Sequence, residues 1–312
     1  MRRSLRLLAC LLGMWCWTVF ANAAGVVIVA SEGSPGFAAA VDAVVGELAR
    51  EGQPRVEVSQ RSPSDLAGMA VPDAAATKLF ITLGTDALKQ LLARDLRVPV
   101  LAALIPRSGF ERVMKEAGGR AAQSVTVLYL DQPFGRQVDL LRIALPGVKR
   151  VGVLWGEESV LLQPALQIAL HARGLQEVSG PVVSSGAGRN ASLKAALDDT
   201  DALLAVADPQ VYSSATIANI LLATYRARVP MLAFSPAYVK AGALMSLHST
   251  PAQIGTQTGT MARALLQGAV LPVALYPTDF TVAVNEHVAQ SLGLTLDALA
   301  LSDRLRRMEK RP

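Results

Sequence analysis

Cysteine is almost missing from this chain: two in 312 residues. Both, Cys10 and Cys16, stand near the N-terminus, which leaves the rest of the chain without disulfides or thiol chemistry. Histidine is as scarce. His171, His248 and His287 are scattered, and no pair has metal-ligand spacing, so no metal site is expected. A Gly-x-Ser-x-Gly elbow is absent, and Gly186-Ala187-Gly188 lacks the helix-opening third glycine of a dinucleotide fingerprint. The sequence therefore carries no signature of catalysis and none of a cofactor. Aromatic residues make up 5% of the chain. There is no Gly/Ser linker, low-complexity tract or visible repeat.

What is present begins with a leader. Arg2, Arg3 and Arg6 precede an apolar stretch that ends in Ala21-Asn22-Ala23, a small-x-small cleavage pattern. Residues 1–23 read as a secretory signal peptide, with an apolar core short for a membrane span. Leu7-Leu8-Ala9-Cys10 loosely resembles a lipoprotein box, but Cys10 comes before most of the apolar core, and lipidation is not expected. Removing the three arginines takes the formal net charge from +5 to +2. The basic balance of the whole chain is thus no argument for a nucleic-acid partner.

The remaining 289 residues suit two cores better than one. Apolar runs alternate with helical patterns throughout. In the first half, strands are expected at Val26–Ala30, Val56–Ser59, Leu79–Leu83, Val98–Ala103 and Val125–Leu128. In the second they are expected at Arg150–Leu154, Ala202–Val206, Pro230–Phe234, Ala243–Leu247 and Phe280–Val284. Phe134, Val138, Leu141 and Leu145 form an apolar stripe on a helix that Pro146-Gly147 ends. A further helix spans Ala252–Gln267, and the charged tail Arg304–Arg311 is expected to fray. Strands alternating with helices this regularly give α/β architecture: two doubly wound parallel-sheet lobes, with ligands binding beyond the carboxyl ends of the strands.

Several segments, in this order, resemble the periplasmic ABC-transporter substrate-binding proteins that include tryptophan- and tyrosine-type binders. They are Ile81-Thr82-Leu83-Gly84-Thr85-Asp86-Ala87, Leu145 to Leu154, Asp201-Ala202-Leu203-Leu204 with Asp208-Pro209, Val229 to Phe234, Ala241 to Leu244, Gly255 with Gly268, and Val284-Asn285 with Leu292-Gly293-Leu294. The resemblance covers residues 79 to 300, and the first eighty residues match only in their strand–helix plan. It implies a type I periplasmic-binding-protein fold, with lobes joined by a three-crossing hinge near Leu130, Met245 and Tyr276. Lobe one would be 24–130 plus about 246–275, and lobe two 131–245 plus about 276–312. Two segments depart from the family. Val-Leu-Tyr-Leu-Asp stands at 127–131 where a glycine is common, and Trp155-Gly156-Glu157-Glu158 stands where an asparagine is common.

The candidate ligand-binding residues are Ser31, Gly84, Thr85, Asp86, Trp155, Asp208, Tyr212 and Phe234. Thr85 reads as a helix N-cap, as a holder of a ligand carboxylate on the free N–H groups of that helix, or both. Asp208 before Pro209 reads as an N-cap, or as the partner of a ligand ammonium in a closed cleft. Trp155, Tyr212 and Phe234 lie at or past strand ends and read as core, or as one aromatic wall for an apolar ligand. The resemblance implies a monomeric periplasmic receptor that delivers a small molecule, an aromatic or branched amino acid being the best guess, to an ABC permease. A periplasmic sensing subunit of a membrane kinase or cyclase would share the same features. An α/β hydrolase would need a nucleophile–base pair at the strand ends.

Overall fold

The computed structural model describes residues 24–30, 35–51, 56–68, 77–94, 98–118, 125–184, 188–270 and 272–310. Twelve strands follow one another along these segments: β1 (Ala24–Ala30), β2 (Val56–Arg61), β3 (Thr77–Leu83), β4 (Val100–Ile105), β5 (Val125–Tyr129), β6 (Arg150–Val153), β7 (Gln176–Ser179), β8 (Ala202–Leu204), β9 (Met231–Ala233), β10 (Met245–His248), β11 (Ala274–Leu275) and β12 (Thr281–Val284). Between and after them run α1 (Pro35–Leu48), α2 (Thr85–Leu92), α3 (Arg107–Ala117), α4 (Phe134–Ala144), α5 (Gln163–His171), α6 (Arg189–Leu197), α7 (Ile217–Ala227), α8 (Pro236–Ala241), α9 (Pro251–Leu266), α10 (Glu286–Ser291) and α11 (Ala298–Glu309).

The strands form two six-stranded sheets built to one plan. The first has the order β11-β5-β4-β3-β1-β2, the second β12-β10-β9-β8-β6-β7. All pairings are parallel except β10 with β12, where Met245 faces Val284 and His248 faces Thr281. Each sheet is covered on both faces. In the first, one core holds Val26, Ile28, Leu79, Ile81 and Leu83 with the buried face of α1, while the opposite core holds Val27, Phe80, Leu88 and Phe110. The second sheet repeats this, with Val151, Val153, Leu141 and Leu305 on one side and Leu154, Leu203, Ile220 and Met231 on the other. Strands buried on both faces are predominantly apolar, which is why they read as near-continuous runs rather than alternations.

Two strands escape the sequence pattern, one in each sheet. β7 is an edge strand with no buried side chain, and β11 is two residues long. β7 offers no apolar run, and β11 is too short to give a pattern. The C-terminal tail also departs from expectation, because it is helical as far as Glu309. Leu301 and Leu305 bury one face of α11 against the second lobe, and the Asp297 side chain accepts a hydrogen bond from the Ala300 N–H to cap it.

The chain passes between the sheets after Tyr129, after His248 and after Leu275. Following the second passage, α9 packs along α1 in the first lobe. Its Gly255 and Gly259 let the two backbones approach, since a Cβ on Gly255 would overlap the Ala40 carbonyl and stand 2.8 Å from the Ala43 Cβ. Arg263 closes this interface with an ion pair to Glu47 and a 3.0 Å hydrogen bond to the Glu47 carbonyl.

Gly255→Val should destabilise the first lobe by about 1–3 kcal/mol, the usual cost of overpacking. Denaturant unfolding monitored by circular dichroism would register it as a lower midpoint. A pH dependence is expected from His248, which is buried in β10 with Nδ1 3.1 Å from the Ser246 hydroxyl. Burial holds its pKa below the ordinary 6.5. The unfolded chain therefore binds this proton more readily, so stability is complete above pH 6.5 and falls as pH drops from there toward the lowered folded value. In His248→Gln this slope should be flatter than in the parent chain, as read by unfolding free energies between about pH 7 and pH 5.

Candidate functional site

In a doubly wound sheet the strand order reverses at one place, and the loops leaving the two strands there diverge to open a crevice. Here that place lies between β1 and β3 in the first sheet, and between β6 and β8 in the second. β3 leads through Gly84 directly into α2, whose first residues are Thr85 and Asp86. The loop after β6 carries Trp155 to Ser159, and the loop after β8 carries Ala207 to Tyr212. Ser31, in the loop after β1, lies outside the described residues.

In the first lobe, Gly84 is the N-cap of α2, with φ of 94° and no side-chain cap bond. That backbone conformation suits glycine alone, and the Phe37 ring stands 3.0 Å from where a Cβ would be. Thr85 is therefore the first helical residue and not the cap. The leading N–H groups of α2 carry no side-chain cap, and the exposed carboxylate of Asp86 complements the positive end of the helix dipole. The Thr85 hydroxyl lies against α3, 3.3 Å from the position of a Cβ on Gly109. The start of α3 is re-aimed by a bulge. Leu104 adopts φ of 53°, and the β4–β5 register shifts between Ala102 and Ile105.

In the second lobe, Asp208 is almost wholly buried, at 2% exposure. Its Oδ2 accepts a hydrogen bond from the Ser159 N–H at 2.9 Å, and its Oδ1 accepts one from the Gln210 N–H at 2.9 Å. No helix starts at Pro209; α7 begins at Ile217. Asp208 thus braces two loops against each other in place of capping a helix. Gly156 makes this possible, because a Cβ there would stand 2.5 Å from the Asp208 carboxyl carbon. The glycine of Trp155-Gly156-Glu157-Glu158 is the local signal for this arrangement, but its partner is some fifty residues distant and invisible to spacing.

The three aromatic candidates do not share one wall. Trp155 belongs to the core on the α4 side of the second sheet, and its indole N–H donates to Glu177 Oε1 at 2.7 Å. Tyr212 and Phe234 belong to the opposite core, with ring centroids 5.7 Å apart, and Phe234 also packs on Tyr238 at 5.1 Å. The Tyr212 hydroxyl is buried without a hydrogen-bond partner among the described residues. Burial, reinforced by Tyr238 and the Asp208 charge, pushes its pKa well above the usual phenol range, so it is always a neutral phenol.

The residues that join the two loop sets were not found by sequence reasoning. Ser108, in the first turn of α3, donates its hydroxyl to the Ala207 carbonyl at 3.2 Å. Thr85 and Asp208 are each one residue removed from this contact, Thr85 through Gly109 and Asp208 through Ala207. The structure therefore brings the start of α3 in one lobe against the Asp208 loop of the other, with Thr85 at the start of α2 beside Gly109. Toward the hinge sits a second polar group. Arg107 donates from Nε to Glu111 at 2.8 Å and from Nη1 to the Tyr276 hydroxyl at 3.1 Å. Its backbone N–H donates to Asp131 Oδ2 at 2.6 Å. Burial opposes the Arg107 charge, but the bonds to Glu111 and Tyr276 outweigh it and keep the guanidinium protonated. Burial also pushes Asp131 up to about 6 and Tyr129 up to about 12.

Gly156→Ala should force the Asp208 carboxylate off its two N–H donors and cost about 1–3 kcal/mol of stability. Thermal unfolding of the variant would show this directly, with an unchanged midpoint refuting the brace.

Comparison with known proteins bears on the family and the fold. A family model described as ABC transporter substrate binding protein matches residues 34–303. A search of curated proteins returned no match. Among solved structures, a conserved domain protein from Vibrio cholerae is 21% identical, with a TM-score of 0.59 over 89% of this chain and 98% of that one. A protein from Streptococcus pneumonia, described as an ABC domain in complex with L-Trp, is 22% identical, with a TM-score of 0.59 over 89% and 97%. A ligand-free, open substrate binding protein with adhesive properties from Clostridium difficile is 18% identical, with a TM-score of 0.67 over 88% and 96%. At these identities the likeness is one of fold. With two sheets of one plan and a family match over most of its length, the chain belongs to the ABC transporter substrate binding protein family.

Proposed function

We propose that this protein is the periplasmic receptor of an ABC importer, exported on residues 1–23, and that it closes around an amino acid with an aromatic or branched side chain. The observation that carries the reading is the Ser108–Ala207 contact, which sets the start of α3 against the Asp208 loop, with the uncapped start of α2 beside it through Thr85 and Gly109. A ligand carboxylate placed between Gly84, Thr85 and the first turn of α2 would meet free N–H donors at the positive end of a helix. The buried Asp208 carboxylate belongs to the second-lobe loop that meets α3, and a carboxylate there would favour a ligand ammonium. Phe234, half-buried at the end of β9, supplies apolar surface on the same side of the sheet as Asp208's neighbour Tyr212. Closure of the two lobes would be what the permease reads, and a ligand drives it only by preferring the closed form.

The test is a thermal-shift panel on exported protein that has been unfolded and refolded to strip carried-over ligand. A ligand at a hundredfold excess over Kd stabilises the native state by about 2.7 kcal/mol. Aromatic or branched amino acids should raise the midpoint, and sugars and nucleobases should not. A shift produced by sugars alone would overturn the ligand class, and no shift with any compound would overturn small-molecule binding by this cleft.

A further inference from the structure

We infer, on the reading that an amino acid binds in the cleft, that His248 touches the ligand and that its Nε2 selects side chains ending in a neutral hydrogen-bonding group. His248 closes β10, which runs parallel to β9, as β9 does to β8 and β8 to β6. It therefore lies at the same end of the second sheet as the loops carrying Trp155 to Ser159 and Ala207 to Tyr212. That is the end where ligands bind in sheets of this kind. The next residue, Ser249, bonds to Gln132 of the first crossing, so His248 stands at the hinge edge of the cleft. Its side is fixed by register. Ser246 faces Ala233 across the β9–β10 pairing, and Ala233 shares its core with Tyr212 and Phe234. His248, two residues beyond Ser246, points to that same side. Asp208 follows β8, Phe234 follows β9 and His248 ends β10, three neighbouring strands. The ends of β8 and β10 are about 10 Å apart. A ligand lying across them would meet a carboxylate, apolar surface and an imidazole in turn.

One side of the imidazole is held and the other is free. Nδ1 lies 3.1 Å from the Ser246 hydroxyl, which sets the ring orientation and the tautomer. Nε2 has no hydrogen-bond partner among the described residues, yet it is not sealed in the core. The residue is 9% exposed, so a polar nitrogen stands at the mouth of an otherwise buried site. Burial lowers its pKa with no contribution from a neighbouring charge, and the ring is neutral above pH 6.5. A neutral ring in uncharged surroundings suits a hydroxyl or an N–H and gains nothing from a hydrocarbon tip. An analogue lacking that group leaves the nitrogen unpaired, which is how such sites discriminate.

The probes are L-tyrosine and L-phenylalanine, titrated calorimetrically into ligand-stripped protein. They differ by one hydroxyl that both donates and accepts, so the result is independent of the tautomer. Wild type should bind tyrosine about three- to tenfold more tightly. Two variants separate ligand contact from packing. His248→Asn keeps a polar group near the Nδ1 position, where it can still meet Ser246, but has nothing at Nε2. His248→Gln reaches nearer to the Nε2 position. His248→Asn should bind the two probes alike, through a loss confined to tyrosine, while His248→Gln should keep part of the preference. A residue that served only to hold Ser246 would give the reverse order. Equal affinities in wild type, or an undiminished preference in His248→Asn, would overturn the contact and leave the amino-acid reading in place. The wild-type ratio stands whether or not a variant folds, which a far-ultraviolet dichroism melt checks. If wild type binds neither probe the contact falls, and the thermal-shift panel decides whether the amino-acid reading falls with it.

Discussion

Every relative motion of the two lobes must pass through one short hydrogen-bond relay. Gln132, in the first crossing, donates its side-chain N–H to the Ser249 hydroxyl at 2.8 Å, and Ser249, in the second, donates to the Asp279 carbonyl, in the third, at 2.5 Å. Gln132 and Ser249 are each 4% exposed, so these bonds have no water to replace them. Three separate stretches of chain are thereby tied at one point. The rest of the hinge is built onto that tie. Arg136 bonds to Gln132 Oε1 and the Pro277 carbonyl, Gln253 to Asp279 Oδ2, and Arg306 to Asp279 Oδ1 and the Phe280 carbonyl. Phe280 is clasped between two guanidinium groups, Arg136 at 4.7 Å and Arg306 at 4.5 Å from its ring centre. A hinge fixed in this way permits rotation about itself and little translation, so the far edges of the sheets, at β2 and β7, sweep the widest arc.

Much of the fold was legible because doubly buried strands leave a blunt signal. Runs such as Val26–Ala30 and Leu79–Leu83 have no polar face to hide, and Pro and Gly punctuate the helices between them. What failed to register had a physical cause in each instance. β7 carries Gln176 and Glu177 because an edge strand needs no continuous apolar face. The tail reads as charged and loose, yet Leu301 and Leu305, four apart, are the residues that pin it. The site was partly legible. Gly84, Thr85 and Asp208 do fall at the switch points, because that placement depends only on which strand each residue follows. Side-chain direction was harder. Trp155 continues the parity of Val151 and Val153, so it had to point into the core on that face. Counting residues along β6 would have separated it from Tyr212 and Phe234.

The contacts that join the lobes lay beyond reach of the sequence altogether. Ser108 and Arg112 occupy an ordinary helical turn, and their partners Ala207 and Glu158 sit in two different loops of the other lobe. No spacing rule relates the members of either pair. The same is true of Asp208, whose character as a brace depends on an absent side chain at Gly156. The contacts between the lobes are such tertiary coincidences on a scaffold whose elements are individually plain.

The interleaving of the chain has a consequence for how the molecule comes into being. The first lobe is completed only by residues 251–275, and the second only by residues 281–309. Neither can finish as an autonomous unit while the C-terminal quarter is still missing, since α9 covers α1 and α11 seals the core beneath α4. Contacts between chain segments some two hundred residues apart are slow to form, because the intervening loop must be closed first. A chain of this connectivity can complete neither core before its last helix is available. Its assembly is thus timed by its own connectivity, with the final turn of α11, where Arg306 meets Asp279, acting as the closing stitch.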